Sequence, residues 1–148
     1  MRDRSSWQAP LLALTGSLGI AAAWVLAALA LDRHCGWMAV IAALDAVLLL
    51  RFGGMRPGLA RASWALAATV LAVALANWGV VATRVGRMFG LMPLESMERI
   101  GGGFAWTLAQ LVNGPVELAW IAAALVVAAV LGARGWPLAA LSARRRAP

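Results

Sequence analysis

Residues 10–31, PLLALTGSLGIAAAWVLAALAL, carry no charged side chain over a length sufficient to cross a lipid bilayer. As a helix rising ~1.5 Å per residue, this run reaches about 33 Å, whereas the hydrocarbon of a typical membrane is ~30 Å thick. Three further apolar runs follow at about residues 36–52, 63–83 and 115–133. The sequence therefore predicts an all-α integral membrane protein, in which residues 1–148 form one transmembrane domain folded as a four-helix bundle.

The composition points to the same class of protein. The chain is 63% hydrophobic and only 13% charged, whereas a soluble domain carries about 25% charged residues. Lipid tails are as apolar as the helices, so packing and polar contacts between helices must hold such a bundle together. The run at 10–31 is longer than the ~7–15 apolar residues of a signal peptide, so we expect it to remain as an uncleaved span.

The arginines predict the orientation of the four spans. All thirteen basic residues are arginines, and they lie at the ends of the apolar runs or in the connections. One side of the predicted bundle carries nine of them: Arg2, Arg4, Arg51, Arg56, Arg61, Arg134, Arg144, Arg145 and Arg146. The other side carries four: Arg33, Arg84, Arg87 and Arg99. The positive-inside rule places the arginine-rich side, and with it both termini, in the cytoplasm.

The formal charge of +7 does not predict nucleic-acid binding, because the arginines form no extended basic face. The basic tail at residues 134–148 is instead expected to lie on anionic lipid headgroups. The use of arginine without lysine is typical of GC-rich bacterial genomes. We therefore expect a multi-pass protein of the bacterial inner (cytoplasmic) membrane.

The connection between the third and fourth spans, residues 84–114, is unusually long. The pattern predicts two short helices within it, at residues 93–100 and 104–112, separated by glycines 101–103. The second has an apolar face that is typical of a helix lying in the membrane interface. We expect this extracytoplasmic segment to cap the bundle, either as a functional loop or as a lid that covers helix ends.

Asp45 interrupts the second apolar run and is the only ionisable residue predicted to lie inside the membrane. A carboxylate there costs at least a few kcal/mol, so such residues commonly face the bundle and mark pathways or relays. Thr15, Ser17 and Thr69 are predicted at a similar depth, where their hydroxyls would form an intramembrane polar layer with Asp45. Two interpretations remain open: a proton or ion pathway, and a contact that fixes helix packing or a partner.

A second candidate site lies on the predicted extracytoplasmic side. Its polar side chains are those of Glu117, Asn77, His34 and Arg84. For Glu117 the alternative is ordinary helix-start chemistry, because the helix dipole favours a carboxylate in the first turn after Pro115. The chain has one histidine and one cysteine, too few donors for a histidine–cysteine metal site. We predict no catalytic residue, no metal and no cofactor.

Three functional hypotheses follow. The first is a small polytopic inner-membrane protein that acts as a non-enzymatic subunit or adaptor, bound to a membrane-protein partner or to a second copy. The second is a small oligomeric transporter or channel that uses Asp45 as its intramembrane coupling or binding group. The third, which ranks last, is an enzyme that acts on lipid at the extracytoplasmic surface through Glu117 or His34. Nothing in the sequence places a nucleophile beside a base there, so the question of enzymatic activity stays open and a non-enzymatic role is favoured.

Overall fold

The computed structural model describes residues 7–33, 35–90 and 113–134, together with Gly103, Thr107 and Gln110. The helices of these three ranges are α1 (Gln8–Ala30), α2 (Met38–Phe52), α3 (Leu59–Phe89) and α4 (Pro115–Arg134). Three of them, α1, α3 and α4, are long and apolar enough to cross a membrane. For the described residues, the prediction of an all-helical chain is therefore confirmed, and three of its helices have the length and apolar composition that a membrane span needs.

The lengths of α2 and α3 differ from those of the predicted spans. With 15 residues, α2 reaches only ~22 Å and is too short to count among the helices that cross a ~30 Å hydrocarbon layer unaided. The longest helix is α3, with 31 residues. It continues through Arg84 to Phe89 and ends at Gly90, whose φ of 67° is left-handed. The sequence predicted a connection from residue 84 onwards, and the helix continues six residues into it, because arginines mark a membrane boundary without ending a helix.

Most of the segment between α3 and α4 lies outside the described residues. Gly103, Thr107 and Gln110 are helical, and the Thr107 hydroxyl donates a hydrogen bond to the Gly103 carbonyl over 3.1 Å. Thr107 and Gln110 belong to the second predicted interfacial helix, whose other residues fall outside the described part of the chain. The first predicted interfacial helix and the basic tail after Arg134 lie wholly outside it, so both helices and the tail remain predictions.

The packing partners of each helix define how the four are arranged. Both α2 and α3 contact every other helix, whereas α1 and α4 pack mainly on α2 and α3 and so lie at opposite corners. Gly53, at the end of α2, lies against Ala9 at the start of α1. Gly132, near the end of α4, lies against Ala62 near the start of α3. Consecutive helices therefore run antiparallel, and we call the end where these residues meet the Gly53 end.

The opposite end of the helices is defined by Gly36, which precedes α2. A Cβ built on Gly36 would lie 3.4 Å from the Cα atom of Glu117 in the first turn of α4. The α1–α2 turn, the last part of α3 and the start of α4 meet here, and we call this the Gly36 end. Among the described residues of this turn, Asp32 (φ 48°) and Cys35 (φ 49°) have left-handed backbone conformations.

Alanine fills much of the interior between the helices. The alanines exposed by 1% or less are Ala9, Ala13, Ala28, Ala39, Ala42, Ala43, Ala65, Ala72, Ala76, Ala82, Ala124 and Ala128. Such small side chains let helix backbones approach closely, which is how transmembrane helices gain packing contacts. The approach is closest at glycines: a Cβ on Gly132 would lie 2.6 Å from the Cα atom of Ala62. Glycine is required there because any side chain would push the two backbones apart.

One arginine is buried at the Gly53 end. Arg61 is only 4% exposed, and its Nε and Nη2 atoms donate hydrogen bonds to the carbonyls of Gly132 (3.1 Å) and Leu131 (2.9 Å). The last carbonyls of a helix have no partner within that helix, and the negative end of the helix dipole favours a positive charge. Arg61, at the start of α3, therefore caps the C-terminus of α4.

Replacing Gly132 with Ala is expected to lower the free energy of unfolding by ~1–3 kcal/mol, because the added methyl group overpacks the contact with Ala62. The matched control is Gly19→Ala, since a Cβ at Gly19 meets no atom within 4 Å. Denaturant titration of the purified protein in mild detergent measures both. Equal stability of the two variants would contradict the close approach of α3 and α4.

Replacing Arg61 with Met keeps an unbranched apolar stem but removes the donors to Leu131 and Gly132. We expect a loss of ~1–3 kcal/mol, since the Leu131 carbonyl loses its Arg61 donor and the Gly132 carbonyl keeps only the 3.4 Å hydrogen bond from the Gly58 N–H. Arg56→Met is the control, because Arg56 is exposed. The thermal unfolding midpoint in detergent should fall for the Arg61 variant and stay near the wild-type value for the Arg56 variant.

Candidate functional site

Asp45 lies at the edge of the α2 surface that packs on α1. Its side chain is half-buried, and a Cβ built on Gly16 of α1 would lie 3.1 Å from the Asp45 Oδ2 atom. Leu49, one helical turn further along α2, occupies the space directly over Gly16. Among the described residues, Asp45 makes neither a hydrogen bond nor an ion pair.

The three hydroxyl residues predicted to surround Asp45 are hydrogen-bonded within their own helices. The side chains of Thr15, Ser17 and Thr69 each donate to a main-chain carbonyl three or four residues earlier, over 2.7–3.0 Å. Ser17 and Thr69 are buried, whereas Thr15 is exposed. Each hydroxyl oxygen can still accept a hydrogen bond, so the polar layer around Asp45 stays a prediction.

A groove of about 550 Å³ opens at the Gly53 end between α1 and α2. Its walls are formed by Gln8, Leu11, Leu12, Thr15, Phe52, Gly53 and Gly54. Thr15 precedes Gly16 in α1, so the groove runs from the Gly53 end towards the position of Asp45. We call the groove, together with Gly16, Asp45 and Leu49, the Asp45 seam.

At the Gly36 end the polar residues form separate pairs. Arg84 Nη2 lies 3.9 Å from Asp32 Oδ1; the Asp32 side chain is 98% exposed, and such surface ion pairs contribute little to stability. Asn77 Oδ1 accepts a hydrogen bond of 3.0 Å from Asn113 Nδ2, just before α4. Asn77 Nδ2 in turn donates to the Val73 carbonyl over 2.9 Å. The amide pair thus joins α3 to the start of α4.

Glu117 packs against the α1–α2 turn. Its Cγ atom lies 3.5 Å from a Cβ built on Gly36, and its Oε2 atom lies 3.1 Å from one built on Gly114. The first turn of α4 is where the helix dipole favours a carboxylate, which agrees with the helix-start interpretation. In the described part of the chain, no hydrogen bond joins Glu117 to Asn77 or Arg84.

His34, the fourth residue of the predicted extracytoplasmic site, lies outside the described residues. Sequence reasoning missed Asn113, although an amide directly before the Gly-Pro start of an apolar span was a signal that it needed a partner. It also missed the capping role of Arg61, which charge counting alone does not reveal.

No protein-family model matches this chain, and no curated protein or solved structure is significantly similar to it. The function must therefore be inferred from the residues and their geometry. The Asp45 seam contains a half-buried carboxylate inside an apolar helix. Helix formation alone does not explain this carboxylate, whereas it does explain Glu117 in the other candidate site.

The Asn77–Asn113 hydrogen bond should appear as coupling between the two side chains. In a double-mutant cycle with Asn77→Ala and Asn113→Ala, we expect a coupling of ~0.6 kcal/mol and no more than about 1.7, the range measured for such bonds between membrane helices. The unfolding free energy in detergent is the measured quantity. Ser63→Ala combined with Asn77→Ala serves as the control, because Ser63 bonds only within its own helix; those effects should add.

Proposed function

We propose that this chain is a non-enzymatic subunit or adaptor of a membrane complex, a small polytopic protein of the bacterial inner membrane. The observation that carries the proposal is the position of Asp45. It lies at the edge of the α1–α2 contact, beside Gly16 and above an open groove, where a second protein can reach it.

The interior of the described helices supports this assignment over a pathway through the protein. The buried polar side chains of that interior are Ser17, Arg61, Thr69 and Thr83. Ser17, Thr69 and Thr83 donate within their own helices, and Arg61 caps α4. Between them lie alanine side chains, which neither donate nor accept protons. The described core thus offers no continuous chain of polar groups from one end to the other.

In this proposal the four helices form a transmembrane bundle with the Gly53 end in the cytoplasm. Arg51, Arg56, Arg61 and Arg134 lie at that end, which supports a cytoplasmic location for it and for both termini. Arg84 and Arg87 lie towards the opposite end. Large apolar side chains face outwards along α1 and α4, including Leu26 (68% exposed) and Val126 (61% exposed), as expected for surfaces that contact lipid or another membrane protein.

The groove also favours a second candidate, a small transporter or channel in which Asp45 binds or couples a cation. The groove opens at one end of the helices and leads towards a carboxylate. It could therefore give a cation access to Asp45 from one side of the membrane, as a coupling site requires. Flux in liposomes separates the two candidates. A transporter loses flux when Asp45 is replaced by Asn, whereas a subunit shows no flux with either residue.

The proposal is tested by gentle extraction of the tagged protein from its native membrane, followed by mass determination of the purified complex. We expect a second membrane protein at a fixed ratio, and we expect Asp45→Asn to lower the amount recovered. Glu117→Gln is the matched control, because it neutralises a carboxylate at the Gly36 end and should leave the complex intact. A tag placed after residue 148 should be inaccessible from outside spheroplasts, whose outer membrane has been opened, and should become accessible when the inner membrane is lysed.

Recovery of this chain alone, or only as a homo-oligomer, would contradict the subunit assignment. Equal losses for the Asp45 and Glu117 variants would show that Asp45 has no special part in assembly. The unfolding midpoint of each variant, measured in the same detergent, separates a loss of partner from a loss of fold.

A further inference from the structure

We infer that the Asp45 seam docks one transmembrane helix of the partner, with a basic side chain of that helix placed against the Asp45 carboxylate. The inference rests on the proposed function. It adds the surface that binds the partner, the transmembrane helix by which the partner binds, and the residue, Asp45, that recognises the basic side chain of that helix. It is carried by the geometry of the seam, by the bonding of the neighbouring polar groups, and by the distribution of charge in this chain.

Asp45 has an incomplete polar environment within the described part of the chain. A carboxylate in an apolar helix stays ionised only if hydrogen bonds, water or an opposite charge compensate for its lost hydration; otherwise it takes up a proton. The facing residue on α1 is Gly16, which has no side chain to offer. Thr15 and Ser17, on either side of it, already donate their hydroxyl protons to carbonyls of α1. The described part of the chain therefore leaves an acceptor exposed at the seam.

The surface around this acceptor is an open groove with mostly apolar walls. Below Asp45 the groove is lined by apolar side chains that are well exposed, including Leu11 (57%) and Phe52 (77%), and by the polar side chains of Gln8 and Thr15. A partner helix can lay apolar side chains against these walls. A long basic side chain on that helix can extend its aliphatic stem along the groove and place its charged end at Asp45.

The basic residues of this chain are distant from Asp45 in the sequence. All thirteen lie at the ends of the apolar runs or in the segments outside them. The nearest in α2 is Arg51, six residues after Asp45, which is ~9 Å along the helix. A second copy aligned with the first therefore has no arginine at the depth of Asp45, so the charge complement favours a different protein. Arginine suits the position best, because its planar group binds a carboxylate through two parallel hydrogen bonds.

The experiment places a photo-crosslinking amino acid at Leu12, in the wall of the groove, in the full-length protein within its native membrane. The control is the same amino acid at Val126, which is exposed on α4 at the opposite corner. Mass spectrometry then identifies the crosslinked peptide. We expect Leu12 to capture a single apolar segment of a second membrane protein that contains Arg or Lys.

The role of the charge is measured by repeating the crosslinking with Asp45→Asn and Asp45→Glu. Because removal of one member of a desolvated charge pair is costly, we expect Asp45→Asn to reduce the Leu12 crosslink at least about tenfold. Asp45→Glu should retain most of it, and crosslinks from Val126 should not change. Asp45→Arg should abolish the Leu12 crosslink, and replacing the basic residue of the partner with Asp should restore it.

Three results would overturn the inference: a Leu12 crosslink that persists at full yield in Asp45→Asn, one that joins only a second copy of this chain, or one that joins only lipid. If a partner co-purifies but is crosslinked from Val126 and not from Leu12, the subunit proposal stands and the docking surface is wrong. If no partner is recovered by either route, both proposals fail.

Discussion

The backbones of these helices lie at separations that only the smallest residues allow. Gly53 meets Ala9 between α2 and α1, Gly132 meets Ala62 between α4 and α3, and Gly79 of α3 lies under Val25 of α1. In lipid there is little hydrophobic gain from bringing apolar helices together, so close van der Waals contact must supply the stability. The positions of the functional groups follow from these contacts. The reach of Arg61 to α4 and the placement of Asp45 over Gly16 both depend on the helices being this close.

The two ends of the helix arrangement are fastened by different chemistry. At the Gly53 end, the buried guanidinium of Arg61 binds the last carbonyls of α4, a charged interaction shielded from solvent. At the Gly36 end, a neutral amide pair and an exposed ion pair join α3 to its neighbours. Because α3 contributes to all three contacts, it links α1 and α4, which barely touch each other. The Asp45 seam opens beside the Gly53 end, where the charged contact of Arg61 lies.

Sequence alone predicted the helical class and the approximate positions of the apolar helices, because long uncharged runs leave the backbone no other way to satisfy its hydrogen bonds in a membrane. It failed at the ends of α3, since hydropathy marks where a bilayer stops and not where a helix stops. It singled out Asp45 because a carboxylate in an apolar run is conspicuous. It could not pair Asn77 with Asn113 or Arg61 with α4, because such pairs depend on the rotation and relative height of helices distant in sequence.

The unequal lengths of the helices have a consequence for the surrounding membrane. Beside α3, whose 31 residues reach ~46 Å, stands α2, whose 15 residues reach ~22 Å. If α2 crosses the membrane as proposed, a bilayer with ~30 Å of hydrocarbon would have to become thinner beside it, at a cost of a fraction of a kcal/mol for each ångström of hydrophobic mismatch. Such thinning would bring headgroups and water nearer to the level of Asp45. A second thin-spanning protein placed over α2 would relieve it.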